Sequence, residues 1–120
     1  MKQLNSLFIC LALLAFANPV LAADSAAVGS ITITSPVNDA VLQSATGNKL
    51  EFNVHLSPKG HHVHVYIDDQ DPIVFRDVGN CPCSIPLPKL SSGKHIIVVK
   101  EATSSHAMTG VQSSVTITVK

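Results

Sequence analysis

From residue 30 onward, apolar and polar residues alternate with a period of two along most of the chain. Lys49 to Ser57 is the cleanest case. Leu50, Phe52, Val54 and Leu56 fall on one face, and Glu51, Asn53 and His55 fall on the other. Successive side chains of a strand point to opposite sides, so this pattern predicts a half-buried β-strand. Ser30 to Thr34 repeats it with Ile31 and Ile33, and Val111 to Lys120 with Val115, Ile117 and Val119. In Gly60 to Asp69 the set His61, Val63, Val65, Ile67 alternates with His62, His64, Tyr66, Asp68. The first set is mostly apolar and is expected to face a core, with His61 at its edge. The second presents two imidazoles, a phenol and a carboxylate to the other side. Lys94 to Glu101 is apolar on both faces, His95, Ile97 and Val99 against Ile96 and Val98. That predicts a central strand covered on both sides for part of its length.

Two shorter strands are expected at Ile73 to Val78 and Ser84 to Leu87. Pro86 and Pro88 confine the latter to a sheet edge, because proline donates nothing to a ladder. Turn-forming residues punctuate the intervals: Ser35-Pro36, Asn38-Asp39, Ala45 to Asn48, Pro58-Lys59-Gly60, Asp68 to Pro72, Gly79 to Pro82 and Leu90 to Gly93. No segment of this region carries a helical period. The expected fold class is therefore all-β, an Ig-like β-sandwich of about seven antiparallel strands. Trp is absent, and no cysteine pair has the inter-sheet spacing of antibody domains, so the likeness is one of architecture.

The N-terminal segment reads differently. Lys2 precedes an apolar run from Leu7 to Phe16, broken by Asn18 and Pro19 and followed by Val20-Leu21-Ala22. The run is about half of the roughly 20 residues that cross a bilayer. A cleaved signal peptide over 1–22 is expected, with Ala23 as the rival cut. A flexible leader over 23–29 and one domain over 30–120 complete the organisation. The compartment implied is periplasmic or extracellular. Eight Lys+Arg balance eight Asp+Glu, with no basic run and no interleaved aromatics, which argues against nucleic acid as a partner. No second apolar run approaches membrane length, so the mature form is expected to insert in no membrane.

The candidate chemistry lies in histidine, methionine and cysteine. His62 and His64 stand two apart on one strand face, about 6.6 Å between Cα atoms, from where two imidazoles can lean onto one metal ion. His95 begins a strand that an Ig-like sheet places beside this one, although by parity it groups with Ile97 and Val99. His106 and Met108 form a His-x-Met loop, whose imidazole and thioether suit copper over calcium or magnesium. His55 is outward on another strand and reads as a bystander. Cys81-Pro82-Cys83 holds the only cysteines after signal cleavage, expected to be oxidised after export, either with each other or with another chain. They read as a loop staple, a soft ligand pair or a thiol–disulfide exchanger. The tripeptide resembles the active Cys-Pro-Cys of the mitochondrial intermembrane-space import oxidoreductase, a helical protein with no further match here. Gly-x-Ser-x-Gly, a phosphate loop and His-Glu-x-x-His are all missing, and no enzyme activity is expected.

ITITSPVNDAVL, HVHVYIDD and LSSGKHIIVVKEATSSH together resemble the bacterial Ig-like domains of secreted proteins, over nearly the whole mature chain. A narrower likeness is to a family of small bacterial exported domains with a His-His-His-Leu-Leu-Ile-Asp strand, a Pro-Gly-x-His-Thr-Leu strand and a later histidine. His62, Val63 and His64 stand at the triplet, Gly93-Lys94-His95 at the second element and His106 at the third. Val63 replaces the middle histidine and Ser92 the proline. That resemblance implies a shared site more than a shared reaction. The expectation is an exported domain that binds a transition metal, copper first and zinc second, through His62 and His64 joined by some of His95, His106 and Met108. The alternatives are a metal-free interaction module for a periplasmic protein or a glycan, and thiol–disulfide exchange through Cys81 and Cys83.

Overall fold

The structure is a computed structural model and describes residues 28–120. The expected signal peptide and most of the leader lie outside the described residues. Eight strands form two sheets: β1 (Ser30–Ser35), β2 (Ala40–Leu42), β3 (Lys49–His55), β4 (His62–Ile67), β5 (Ile73–Phe75), β6 (Cys83–Pro86), β7 (Gly93–Ala102) and β8 (Met108–Val119). The smaller sheet has the order β1-β3-β6 and the larger β2-β8-β7-β4-β5. Both contribute alternate residues to one core between them. From the small sheet come Ile31, Leu50, Phe52, Val54 and Ile85, and from the large one Val63, Val65, Ile97, Val99, Val115 and Ile117. Phe52 meets Phe75 edge-to-face across the gap, ring centroids 5.5 Å apart. This is the Ig-like sandwich that the alternation of apolar residues predicts.

Several elements differ from the sequence expectation. β2 is a further strand, and it pairs parallel to β8. Its three residues carry no readable period. What fixes it is the turn before it: the Asp39 N–H donates to the Thr116 carbonyl at 2.7 Å, and the Thr116 N–H donates to the Asn38 side-chain oxygen at 2.9 Å. β3 ends at His55, so Leu56 escapes the alternation and is 42% exposed. β5 stops at Phe75, and a single 3-10 turn over Val78–Asn80 follows it. β7 is central in the sheet, and its outer face is open at Ile96, which is 50% exposed, but closed at Ala102. In a two-layer sandwich no third layer covers the middle of the large sheet's outer face, where Ile96 lies. β6 is an edge strand paired only with β3, as its prolines require.

Two features at one end of the sandwich position the site. The β7–β8 hairpin closes through Thr103, whose N–H donates to the Ala107 carbonyl at 2.8 Å and whose carbonyl accepts from His106 N at 2.9 Å. At the same end Gly29, the last residue of the expected leader, is buried. A Cβ on it would lie 2.5 Å from Ser57 N and 2.7 Å from the His55 carbonyl. Only glycine lets the two backbones come this close.

Candidate metal centre

The β4 ladder places His62 opposite Ala102 and His64 opposite Lys100 of β7. Both imidazoles therefore stand on the outer face of the large sheet. Neither is solvated there, for His62 is 0% and His64 6% exposed. Each is covered by the other and by neighbouring rings. His62 has ring contacts with His61 and His106, and His64 with Tyr66 and His106.

His106 arrives from the β7–β8 loop. It adopts φ +68°, a left-handed conformation that is uncommon outside glycine. The Ala107 N–H donating to Thr103 Oγ1 at 3.1 Å helps close the loop around it. Ala102 is paired with both His62 and Met108. Directly opposed residues share a face, so its small side chain leaves room beside His62 for the His106 ring.

Three ring nitrogens converge as a result. His62 Nε2 and His64 Nε2 lie 3.0 Å apart, His62 Nε2 and His106 Nδ1 3.3 Å, and His64 Nε2 and His106 Nδ1 3.1 Å. Three nitrogens this close cannot all carry protons, since their N–H groups would point at one another. The three nitrogens are close enough together that one metal ion could be held among them. Nitrogens bound to one zinc ion at about 2.0–2.1 Å and tetrahedral angles stand about 3.3 Å apart. The observed triangle is close to that figure.

The far side of each ring supports this orientation. His62 Nδ1 lies 3.0 Å from His61 Nδ1. A proton on the His62 atom, donated to His61, leaves His62 Nε2 free for the shared point. The Tyr66 hydroxyl lies 3.5 Å from His64 Nδ1, at the outer limit of such a contact. Burial holds the His62 imidazole below its ordinary pKa, followed by the charge that His106, His64, Arg76 and His61 would bring. Burial also holds His64 down, followed by His106 and Arg76. Both rings are thus kept in the neutral form that binds metal. Lys100, opposite His64, sets its ammonium over the Tyr66 ring, 5.1 Å from the centroid.

Other residues singled out from the sequence lie elsewhere. His95 is buried on the inner side of β7, away from this cluster. Its Nδ1 lies 2.6 Å from Asp68 Oδ2 and its Nε2 2.7 Å from the Ser91 carbonyl. Carboxylate and carbonyl oxygens only accept, so both nitrogens donate and the ring is an imidazolium with no lone pair for a metal. Hydrogen bonds to Asp68 and to Ser91 raise its pKa against the effect of burial. Ser91 Oγ also stands 3.4 Å from Nε2, which outlines a Ser-His-Asp arrangement. With Nε2 already donating to Ser91's own carbonyl, His95 has no base to offer that hydroxyl. Met108 is exposed on β8 and lines a surface recess with Ser57, Pro58, Lys59, Thr103 and Thr109. None of the three clustered imidazoles lines that recess. His61 is exposed and precedes β4, so it packs on His62 and not at the core edge. His55 is exposed on β3 in the other sheet. Cys81 and Cys83 form a disulfide with each other, and Cys83 is buried.

Glu101 was not among the residues singled out. It lies fully buried at the inward-facing end of β7. Its signal in the sequence was a carboxylate in the inward register of Ile97 and Val99.

Fold and site together describe an Ig-like sandwich with three imidazoles gathered at one end of its larger sheet. Among solved structures the chain is similar to the fibronectin(III)-like modules of Clostridium thermocellum CbhA. The match has 24% identity and a TM-score of 0.59, over 75% of this chain and 96% of that one. It is also similar, at 12% identity and a TM-score of 0.49, to the extracellular domain of a putative one-component system of B. thetaiotaomicron. That match covers 76% of this chain and 15% of the other. No protein-family model matches the chain, and no curated protein matches it. The narrower likeness to His-rich exported domains therefore rests on its motifs alone.

Proposed function

We propose that this protein is an exported binding domain that holds one transition-metal ion on His62, His64 and His106, zinc ahead of copper. The observation that carries the reading is the nitrogen triangle, 3.0 to 3.3 Å on a side, formed with two of its rings buried and neutral. The order of metals follows from the donor set. The case for copper leaned on the Met108 thioether, but Met108 is exposed and lines a recess that none of the three imidazoles lines. Three imidazoles suit zinc, copper and nickel alike. A square-planar copper(II) site needs one pair of nitrogens across the metal, about 4 Å apart at ordinary bond lengths. The compact triangle favours the tetrahedral ion, with one position left for water or a partner's donor. Storage, delivery or sensing suits such a site. Among the described residues no helix is long and apolar enough to cross a membrane.

Calorimetric titration of metal-free protein with zinc at pH 7.5 is expected to show about one ion per chain. His62→Ala/His64→Ala and His106→Ala are each expected to weaken binding at least tenfold, about 1.4 kcal/mol. Parental zinc affinity in both variants overturns the reading.

The likeness to fibronectin(III)-like modules and the exposed Ile96 and Val74 favour a second reading, an interaction module for a protein or glycan with no metal. In that case the variants would bind the partner as the parent does. Thiol–disulfide exchange has less support, because Cys83 is buried at 4% exposure.

A further inference from the structure

Glu101 is a carboxylate with no exposure at all, and the metal reading gives it no role. Two separate stretches of backbone converge on it. Ser57, at the start of the β3–β4 connection, donates to Glu101 Oε2 from its N–H at 2.8 Å and to Oε1 from its hydroxyl. Thr109, at the start of β8, donates from Oγ1 to Glu101 Oε1 at 2.7 Å. Against the upward effect of burial, the hydrogen bonds from Ser57 and then Thr109 hold the carboxyl below its usual range. Gly60 packs directly on it, and a Cβ there would lie 2.4 Å from Oε2. The next residue, Ala102, accepts the His61 N–H on its carbonyl at 2.9 Å.

Both stretches adjoin the histidine cluster along the chain. The Ser57–Gly60 connection leads straight into His61 and His62. Thr109 ends the loop that carries His106. His62 and His64 are fixed in any case by the β4–β7 ladder. His106 sits on a loop, at a left-handed φ, and has no ladder to hold it.

We propose that Glu101 is the positioning residue of the three-histidine site. It holds the root of the β7–β8 loop, through Thr109, to the same point as the chain entering β4, and so presents His106 Nδ1 to the two strand histidines. This inference rests on the metal reading for its purpose and on the hydrogen bonds alone for its geometry. Two measurements on the full chain separate them.

The first needs no metal. Amide hydrogen exchange in metal-free Glu101→Gln and Thr109→Val is expected to speed at least tenfold at His106 and Ala107. Val63, Val65 and Phe52 amides should stay as in the parent. Thr109→Val removes the tether next to the His106 loop, together with the bond that Thr109 Oγ1 accepts from the Val111 N–H at 3.3 Å, and leaves both Ser57 bonds to Glu101 in place, so it serves where Glu101→Gln fails to fold. Unchanged exchange at His106 in Thr109→Val overturns the proposal, and so does an equal rise in the core.

The second is a double-mutant cycle on zinc affinity. Thr109→Val is expected to weaken zinc at least fivefold in the parent and to have no effect in a His106→Ala background. An equal loss in both backgrounds marks a general structural role and overturns the proposal. A parent that binds no zinc fails the metal reading, while the exchange result still decides whether Glu101 holds the loop.

Discussion

His95→Gln tests the assignment of His95 as a structural cation. Both ring nitrogens donate to full or partial negative charge, at 2.6 Å to Asp68 and 2.7 Å to the Ser91 carbonyl. A hydrogen bond involving a charged partner contributes about 1.5–3 kcal/mol, against about 1 for a neutral one. The Asp68 side chain is 38% exposed, so solvent screening reduces the ionic part. Glutamine keeps one donor and loses the charge. The expected net loss is about 2 kcal/mol, set by one charge-assisted bond and one neutral bond after screening.

The pH dependence carries the sharper test. His95 has a folded pKa raised above 6.5, so its contribution is complete below 6.5 and is lost as pH rises through the folded value. Against the upward effect of burial, the hydrogen bonds from His95 and the Ile96 N–H hold Asp68 below its ordinary 3.8. Its contribution is complete above 3.8 and is lost as pH falls through the folded value. The gap in stability between parent and His95→Gln should therefore be widest between about pH 4 and 6.5 and shrink above that window. Urea unfolding with a chelator present, in steps from pH 4.5 to 9, measures it. The titrations of His62 and His64 are common to both proteins and cancel. A gap that stays flat across the range, or widens toward pH 9, refutes the imidazolium assignment.

Zinc affinity should resist acid better than unperturbed histidines would allow. The folded pKa values of His62 and His64 are lowered, so protons compete at these two rings only at a lower pH than at ordinary imidazoles, and zinc affinity followed by competition from pH 7.5 downward should begin to fall at a lower pH than in a peptide with ordinary imidazoles. Gly60→Ala places a methyl against the Glu101 carboxylate and should cost about 2 kcal/mol or more in urea unfolding, as overpacking of a closed site does. Parental stability in that variant would mean the carboxylate is free to move aside.

The alternation of Leu50, Phe52 and Val54 makes β3 legible, and the i, i+2 spacing of His62 and His64 makes two of the three imidazoles of the candidate site legible as a pair. That His106 joins them depends on topology. β4 and β8 are not neighbours in the sheet, and His106 reaches His64 only because the β7–β8 hairpin turns back over Ala102. No spacing in the sequence encodes that fold-back. Leu56 misleads because the alternation runs on after the ladder has ended. Ile96 misleads because hydrophobicity reads the same whether a second layer covers it or water does. His95 shows what parity can decide: its grouping with Ile97 and Val99 already placed it inside, whereas its partners Asp68 and Ser91 come from turns whose geometry the pattern does not reveal.

The disulfide joins residues only two apart in sequence, so as a constraint on the unfolded chain it ties almost nothing together. His64 and His106 are 42 residues apart. An ion shared by them would close a circuit worth about 4 kcal/mol of chain entropy on the loop-closure relation for cross-links. On that footing the long-range staple of this small domain would be a reversible one. Its resistance to proteolysis would follow the supply of metal in its surroundings and hardly respond to their redox state.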